Sequence, residues 1–158
     1  MKNSLNKKRK PIVILMADDD EDDVMLTRDA LQEARVINEF HSVPDGEELL
    51  AFLRHEGKYT DKDKYPLPCL ILLDLNMPKM DGREALKIIK EDVELRSIPI
   101  VVMTTSEAEE DIVRSYALGV NSYTRKPVTF DALVVLIRVL GMYWFEIVEL
   151  PPGKALCK

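Results

Sequence analysis

The sequence predicts an α/β fold, in which a doubly wound, five-stranded parallel sheet carries helices on both faces. Short apolar runs alternate with amphipathic segments, so that each candidate strand is followed by a candidate helix. Right-handed crossover connections make such strands parallel. Acidic, hydroxyl and amino side chains stand directly after several apolar runs. Because ligands bind such sheets at the carboxyl ends of the strands, these polar residues are the candidate site.

The length of 158 residues corresponds to about one domain with a continuous core. We expect a basic tail at residues 1–11, the folded domain at 12–143, and an extension of the last helix with a tail at 144–158. The basic block Lys7-Lys8-Arg9-Lys10 in the first segment is typical of a solubilising, poorly ordered lead-in.

The first half of the chain contains two strand and helix pairs. Residues 12–17 form a continuous apolar run that predicts a buried strand, and residues 22–35 carry apolar side chains at helical spacing. Residues 37–43 alternate weakly between apolar and polar, which predicts a second strand. The breaker Pro44-Asp45-Gly46 then ends the strand, and a second helix begins at Glu47.

The middle of the chain begins with a polar stretch at residues 57–68, the longest predicted loop. It leads into an apolar run at 69–73, which predicts the third strand. Residues 83–90 are predicted to form a helix and residues 99–104 the fourth strand.

The last two helices carry cap signals. Ser106-Glu107-Ala108-Glu109 resembles a capping box that starts a helix ending near Gly119. Tyr123 lies in a short predicted fifth strand. Thr129 is predicted to cap a final helix from about residue 130 onward.

Composition excludes several classes of protein. No apolar run reaches the roughly 18 residues needed to span a bilayer, and the N-terminus lacks a secretory signal. The two cysteines, Cys69 and Cys157, fit a reducing compartment and argue against a disulfide framework. The net charge of −6 argues against general nucleic-acid binding. We therefore expect a cytoplasmic protein without a membrane or nucleic-acid partner.

The run from Leu72 to Gly82 places Asp74 alone at the end of an apolar strand, before a tight turn. Asp18 and Asp19 follow the first strand, and Lys126 follows the fifth. These ends meet at one edge of a parallel sheet. Clustered carboxylates repel one another unless a hard divalent cation neutralises them, and Mg²⁺ is the ion that suits such oxygen ligands.

Phosphoryl transfer is the chemistry that this set of residues favours. Asp74 can attack phosphorus and form an aspartyl phosphate. Lys126 supplies a compact ammonium for the transferred oxygens, and Thr104, at the end of the fourth strand, supplies one hydroxyl hydrogen bond. Taken singly, Lys126 would be interpreted as a surface lysine and Thr104 as a strand-end hydroxyl. Their order along the strand ends favours a shared site.

Acids after a strand have a second interpretation, because they often cap the following helix. Asp20, Asp22 or Asp23 are candidates for this role at the N-terminus of the first helix.

Residues 12–143 resemble the receiver domains of two-component response regulators, of which CheY is the single-domain example. The resemblance implies a flavodoxin-like strand order, 2-1-3-4-5. It also implies that a histidine kinase transfers a phosphoryl group from a phosphohistidine with Mg²⁺, and that the protein signals by changing its contacts. Such a domain is not an enzyme beyond catalysing its own phosphorylation and dephosphorylation.

The resemblance assigns roles to individual residues. Asp74 corresponds to the phosphoacceptor, Asp18 and Asp19 to the acidic pair that supports Mg²⁺, and Asn76 to the residue whose backbone carbonyl joins the metal ligands. Lys126 corresponds to the phosphate-binding lysine.

A second group of roles concerns the response to the phosphoryl group. Thr104 and Tyr123 correspond to the switch pair, and Asn76 and Ser106 to the positions that tune the lifetime of the phosphoryl group. Family members often hold the Lys126–Pro127 bond cis.

Three segments narrow the resemblance. The long loop at 57–68, the turn at 77–82 and the segment at 103–106 look most like receivers associated with phytochrome-type sensor kinases.

The last helix is unusually apolar. We expect one set of its residues to form a core stripe: Phe130, Leu133, Val134, Ile137 and Leu140. A second set lies off that stripe: Val135, Leu136 and Val139. Exposed apolar surface suggests a partner, so we expect a homodimer or a docking surface at this helix. The alternative is that residues 142–148 fold back and cover it.

Two other functions compete with this interpretation. A haloacid-dehalogenase-type phosphatase also uses a strand-end aspartate with Mg²⁺, and Asp18-x-Asp20 imitates its paired acids. A degenerate receiver would serve only as a scaffold without phosphorylation. Its usual sign is loss of the acceptor or of an acid, and all of these are retained here.

Overall fold

The computed structural model describes residues 12–36, 38–105 and 108–141. Within these ranges, five strands alternate with five α-helices. The strands are β1 (Ile12–Ala17), β2 (Asn38–Val43), β3 (Leu70–Leu73), β4 (Ile100–Thr104) and β5 (Ser122–Arg125). The helices are α1 (Glu21–Glu33), α2 (Gly46–Arg54), α3 (Gly82–Glu91), α4 (Glu109–Ala117) and α5 (Phe130–Gly141).

The strands form one parallel sheet in the order β2-β1-β3-β4-β5, which confirms the predicted topology. Every residue of β3 is buried, as expected for a central strand with helices on both faces. The strand order reverses between β1 and β3, so their carboxyl ends flank the switch point where ligands bind in such sheets.

Alternating residues of the sheet belong to two apolar clusters, one on each face. Leu15 and Ile71 belong to one cluster, which includes residues of α2 and α3. Ile14 and Leu72 belong to the other, which includes residues of α1 and α5. Each fully buried leucine or isoleucine contributes roughly 1.5–3 kcal/mol to the free energy of folding. The two apolar layers therefore hold the strand ends in register.

Aspartate side chains cap three helices. Asp20 accepts hydrogen bonds from the backbone N–H groups of Asp22 and Asp23 at the start of α1. Asp45 caps α2 and Asp81 caps α3 in the same way. The capping interpretation is therefore correct for Asp20. Thr129 caps α5 as predicted, since its hydroxyl accepts from the Ala132 N–H at 3.1 Å.

Two local predictions are wrong in detail. Helix α4 begins later than the capping box at 106–109 predicted, because Ala108 is its N-cap and has an extended backbone with ψ of 121° and no side-chain cap. Ser106 and Glu107 lie outside the described residues. The predicted loop at 57–68 contains a short 3₁₀ helix, Gly57–Tyr59, because Tyr59 is buried against Phe52 and Tyr65.

Helix α5 follows the predicted stripe at four of its five core positions. Phe130 is the exception: it is 37% exposed, because it begins the helix beside an open groove at the strand ends. Leu136, expected off the stripe, packs partly against the core. Val135 and Val139 are exposed, as predicted.

Two further expectations differ from the structure. Cys69 is buried and disulfide-bonded, whereas the cysteine content favoured a reducing compartment and argued against a disulfide framework. Such a bond depends on spatial proximity, which composition does not report; Cys157 lies outside the described residues. The Lys126–Pro127 bond is trans, since the described residues contain no cis peptide bond. None of the described helices has the length and apolar character needed to cross a bilayer.

Candidate functional site

Strand β1 delivers Asp18 to the carboxyl edge of the sheet. The backbone N–H of Asp18 donates to Val43 O at 3.0 Å, which extends the pairing with β2 by one residue. The residue is 3% exposed, and its Oδ1 accepts from the Asp20 N–H at 2.9 Å. Asp19 is exposed and completes the acidic pair. One acid is thus fixed inside the site and the other lies at its rim.

Strand β3 delivers Asp74 to the same edge. Its N–H donates to Ala17 O at 2.9 Å, and the residue is 5% exposed. Asp74 Oδ1 accepts from Thr104 Oγ1 at 2.8 Å and from the Asn76 N–H at 3.2 Å. Asp74 Oδ2 faces Lys126 Nζ at 3.1 Å. Both carboxylate oxygens are therefore held by groups at the ends of β4 and β5.

Three carboxylates converge between β1 and β3. Oxygens of Asp18, Asp19 and Asp74 all lie within 4.8 Å of one another. Asp18 Oδ2 is buried, and Lys126 Nζ lies 2.7 Å from it. Burial raises the pKa of Asp18 to about 6, although Lys126 and the Asp20 N–H oppose this rise. Such a set of carboxylate oxygens, with Asp18 and Asp74 buried, suits a hard divalent cation.

The ammonium of Lys126 lies among carboxylates at the end of β5. Its Nζ is 2.7 Å from Asp18 Oδ2 and 2.7 Å from Asp23 Oδ2. Burial alone disfavours the charged lysine, but the hydrogen bonds to Asp18 and Asp23 outweigh it, so its pKa is raised above the ordinary value. The Lys126 N–H donates to Thr104 O at 2.9 Å, which fixes the lysine beside β4.

Asp23 is a site neighbour that the sequence suggested only as a helix cap. Its position in the first turn of α1, directly after the acidic pair, is the signal that could have identified it. The side chain of Asp23 is 33% exposed, so this partner of Lys126 is the one on the solvent side of the site.

Thr104 and Tyr123 lie on neighbouring strands. In the β4–β5 register, Thr104 is opposite Arg125, and Val102 is opposite Tyr123. Because side chains alternate along a strand, Thr104 and Tyr123 are diagonal neighbours on one face of the sheet. Thr104 is fully buried, whereas Tyr123 is partly exposed. Ser106 lies outside the described residues.

The turn after β3 requires a glycine at one position. The Gly82 N–H donates to Leu75 O at 3.0 Å, and a Cβ on Gly82 would lie 2.2 Å from Asp74 O. The backbone of α3 therefore contacts the backbone of Asp74 directly. Lys79, in the same turn, adopts φ of 61°, a left-handed conformation that is unusual for a residue with a side chain.

Arg83, in the first turn of α3, was not suggested by the sequence. Its Nε lies 2.7 Å from Asp111 Oδ1 and its Nη2 lies 2.6 Å from Asp111 Oδ2. The guanidinium also reaches Asn76 Oδ1 at 3.4 Å. An arginine at the N-terminus of a helix gives no sequence signal for a partner 28 residues away.

Comparison with known proteins identifies the family. The model of the response regulator receiver domain matches residues 14–138. The chain belongs to this family. Rcp1 from Synechocystis is 40% identical over 129 residues, which cover 82% of this chain and 86% of Rcp1. This receiver is therefore a response regulator domain of two-component signalling, which confirms the resemblance and speaks against the phosphatase alternative.

Solved structures agree with this assignment. The phosphorylated cyanobacterial phytochrome response regulator RcpA is 40% identical and superposes with a TM-score of 0.83, covering 90% of this chain and 99% of RcpA. The Mn²⁺-bound form of Rcp1 is also 40% identical, with a TM-score of 0.80 and coverage of 89% and 99%. The acidic cluster of this receiver is thus consistent with divalent-metal binding, as is expected of the family.

Proposed function

We propose that Asp74 accepts a phosphoryl group from the phosphohistidine of a sensor histidine kinase. A carboxylate oxygen of Asp74 attacks phosphorus, the phosphorus–nitrogen bond breaks, and its electron pair returns to the imidazole. The observation that carries the proposal is the pair of donors on one carboxylate: Thr104 Oγ1 at 2.8 Å and Lys126 Nζ at 3.1 Å. Both can follow the oxygens of a phosphoryl group once it is attached.

The metal in this proposal is Mg²⁺. The carboxylates of Asp18, Asp19 and Asp74 and the backbone carbonyl of Asn76 would hold it. When bound, the ion neutralises the carboxylates and the charge on the transferred oxygens. Lys126 holds the phosphoryl group from the other side, as a compact positive charge on a flexible stem.

The proposed output is a change of protein contacts. Thr104 turns its hydroxyl toward the new phosphoryl oxygen, and Tyr123, its diagonal neighbour, takes up the space that is released. Asn76 and Ser106 tune the lifetime of the phosphoryl group. The domain catalyses only its own phosphorylation and dephosphorylation.

The proposed donor is a phytochrome-type sensor histidine kinase. The name of RcpA, a cyanobacterial phytochrome response regulator, supports this choice. We place the receiver at residues 12–143, with a basic tail at 1–11 and a C-terminal extension at 144–158, in the cytoplasm, without a nucleic-acid or membrane partner.

A second copy of the chain is the partner we propose for α5. Val135 and Val139 are one turn apart on this helix and are 58% and 57% exposed. Analytical ultracentrifugation with and without beryllofluoride should show a dimer for the original chain and a weaker one for Val139→Glu. A monomer at high concentration under both conditions would contradict the proposed dimer. That result is the one expected from the alternative, in which residues 142–148 cover the helix.

The proposed phosphorylation is tested with a small-molecule phosphodonor and Mg²⁺, followed by intact mass. The original chain should gain one phosphoryl group, and Asp74→Asn should gain none. The matched control is Asp131→Asn, which removes an exposed aspartate in the first turn of α5 and should be labelled normally. Omitting Mg²⁺ should abolish labelling.

Labelling of Asp74→Asn to the same extent as the original chain would contradict the assignment of the acceptor. No labelling of the original chain, under conditions that label other receivers, would instead favour the scaffold function.

A further inference from the structure

Arg83 and Asp111 join the first turns of two helices through one ion pair. Both contacts of the pair are short, at 2.7 and 2.6 Å, and both nitrogens face the same carboxylate. The side chain of Asp111 is 12% exposed and that of Arg83 is 30% exposed. A two-point contact of this kind is the strongest and most directional form of an arginine–carboxylate pair. Helix α4 is thus tied to the start of α3.

The same guanidinium holds the turn that follows Asp74. Arg83 Nη1 donates to Leu75 O at 3.3 Å, an oxygen that also accepts the Gly82 N–H. Across the same peptide bond, the Asn76 N–H donates to Asp74 Oδ1 at 3.2 Å. Arg83 therefore fixes the carbonyl end of the peptide whose amide end contacts Asp74.

Arg83 also holds the side chain of Asn76. Both terminal nitrogens of the guanidinium lie 3.4 Å from Asn76 Oδ1. Asn76 is exposed, whereas Asp74 is buried, so Asn76 forms the solvent-exposed part of the turn that contacts the acceptor. A water molecule that approaches a phosphoryl group on Asp74 from this side passes the turn that carries Asn76.

We propose that Arg83 is a positioning residue that sets how long the phosphoryl group stays on Asp74, and that Asp111 keeps Arg83 in place. This inference rests on the proposed phosphorylation of Asp74. In hydrolysis, water forms a new bond to phosphorus, the bond from phosphorus to the Asp74 oxygen breaks, and its electron pair returns to the carboxylate. The protons of water leave with phosphate or to solvent. When Arg83 holds the turn in place, the turn restricts the path by which this water reaches phosphorus.

The position of Asp111 on α4 gives the pair a second consequence. A partner that displaces α4 would draw Asp111 away, release Arg83 and shorten the phosphorylated state. The hydrogen bonds that Arg83 donates to Asp111 raise the pKa of Arg83 above its ordinary value, so the guanidinium stays charged at every physiological pH. The pair therefore responds to movement of the helix rather than to titration.

The test compares loss of the phosphoryl group in a set of full-length variants, after removal of the donor, by intact mass over time. Arg83→Ala and Asp111→Ala should each lose the group about three- to tenfold faster, the change expected for one or two lost hydrogen bonds. The double variant should be no faster than Arg83→Ala, because the two residues act as a unit. Arg83→Lys should resemble Arg83→Ala, since an ammonium cannot form the two-point contact.

Lys87→Ala is the matched control, because Lys87 is exposed one turn further along α3. It should keep the original lifetime. The free energy of unfolding and the Mg²⁺ affinity of each variant are measured in parallel. Arg83→Gln, which is closer in size, replaces Arg83→Ala if that variant does not fold.

An unchanged lifetime in folded Arg83 variants would overturn the inference while leaving the proposed function intact. Equal acceleration in Lys87→Ala, or acceleration that only follows lost Mg²⁺ affinity, would also overturn it. Failure of the original chain to accept any phosphoryl group would overturn the proposed function and this inference together.

Discussion

Lys126 is paired more closely with Asp23 than with Asp74. Lys126 Nζ lies 2.7 Å from Asp23 Oδ2 and 3.1 Å from Asp74 Oδ2. The lysine is therefore shared among Asp18, which is also 2.7 Å away, the proposed acceptor and a carboxylate from the first turn of α1. The strength of the ion pair between Lys126 and Asp23 decides how readily the ammonium turns toward an incoming anion.

Replacing Asp23 should strengthen the binding of a phosphoryl analogue. In Asp23→Asn, one carboxylate no longer competes for Lys126 or repels the anion. We expect beryllofluoride with Mg²⁺ to bind about two- to fivefold more tightly, the range for one partly exposed charge. Calorimetric titration measures this. Asp22→Asn, which removes an exposed acid from the same turn of α1, is the control; equal tightening in both variants would mean that only net charge matters.

The buried charge of Asp18 should give the metal-free receiver a characteristic pH dependence. The pKa of Asp18 rises from 3.8 in the unfolded chain to about 6 in the folded protein. The folded state therefore binds this proton more tightly. The contribution of Asp18 to the free energy of unfolding is present below about pH 4 and is lost as the pH rises through about 6.

Asp18→Asn isolates this contribution. Because other carboxylates also titrate, the informative quantity is the stability of the variant minus that of the original chain. In a chelator, this difference should grow in favour of the variant as the pH rises from about 4 to about 7. Urea unfolding at several pH values measures it. With Mg²⁺ added, the original chain should gain stability that the variant does not. A pH-independent difference would contradict the prediction.

Gly82 should tolerate no side chain. A Cβ there would lie 2.2 Å from Asp74 O, which is backbone and cannot move aside cheaply. Gly82→Ala should lower the free energy of unfolding by about 1–3 kcal/mol and slow phosphorylation, because Asp74 is displaced. Chemical denaturation and intact mass measure the two effects.

Gly119→Ala is the comparison, since Gly119 has φ of 95° and open space around it. It should lose stability through backbone strain yet be phosphorylated at the original rate. Normal phosphorylation of Gly82→Ala would show that the turn adapts.

Lys79 should be replaceable by glycine with a gain in stability. Its φ of 61° costs a residue with a side chain more than it costs glycine. We expect Lys79→Gly to raise the free energy of unfolding by about 0.5–1 kcal/mol, after allowance for the greater entropy of the unfolded glycine chain. Lys79→Ala removes the same charge and keeps the strain, so it should show no gain. A similar gain in both would assign the effect to the charge.

The sequence predicted the sheet well because β1, β3 and β4 are continuous apolar runs with polar residues immediately after them. It located Asp18, Asp74, Thr104 and Lys126 for the same reason, since position at a strand end is a local property. It was less accurate where tertiary contacts outweigh local signals. Tyr59 orders part of a polar loop by packing against aromatic residues, and Phe130 stays exposed although it continues an apolar stripe.

The sequence by itself determined the order of strands and helices, the edge at which the site lies and the residue types available there, because periodicity and strand ends are properties of neighbouring residues. Only the tertiary structure decided which charges meet. Asp23 reaches Lys126 across 103 residues, and Arg83 reaches Asp111 across 28. Such pairs depend on how helices pack against the sheet, and that packing arises from contacts summed over the whole core.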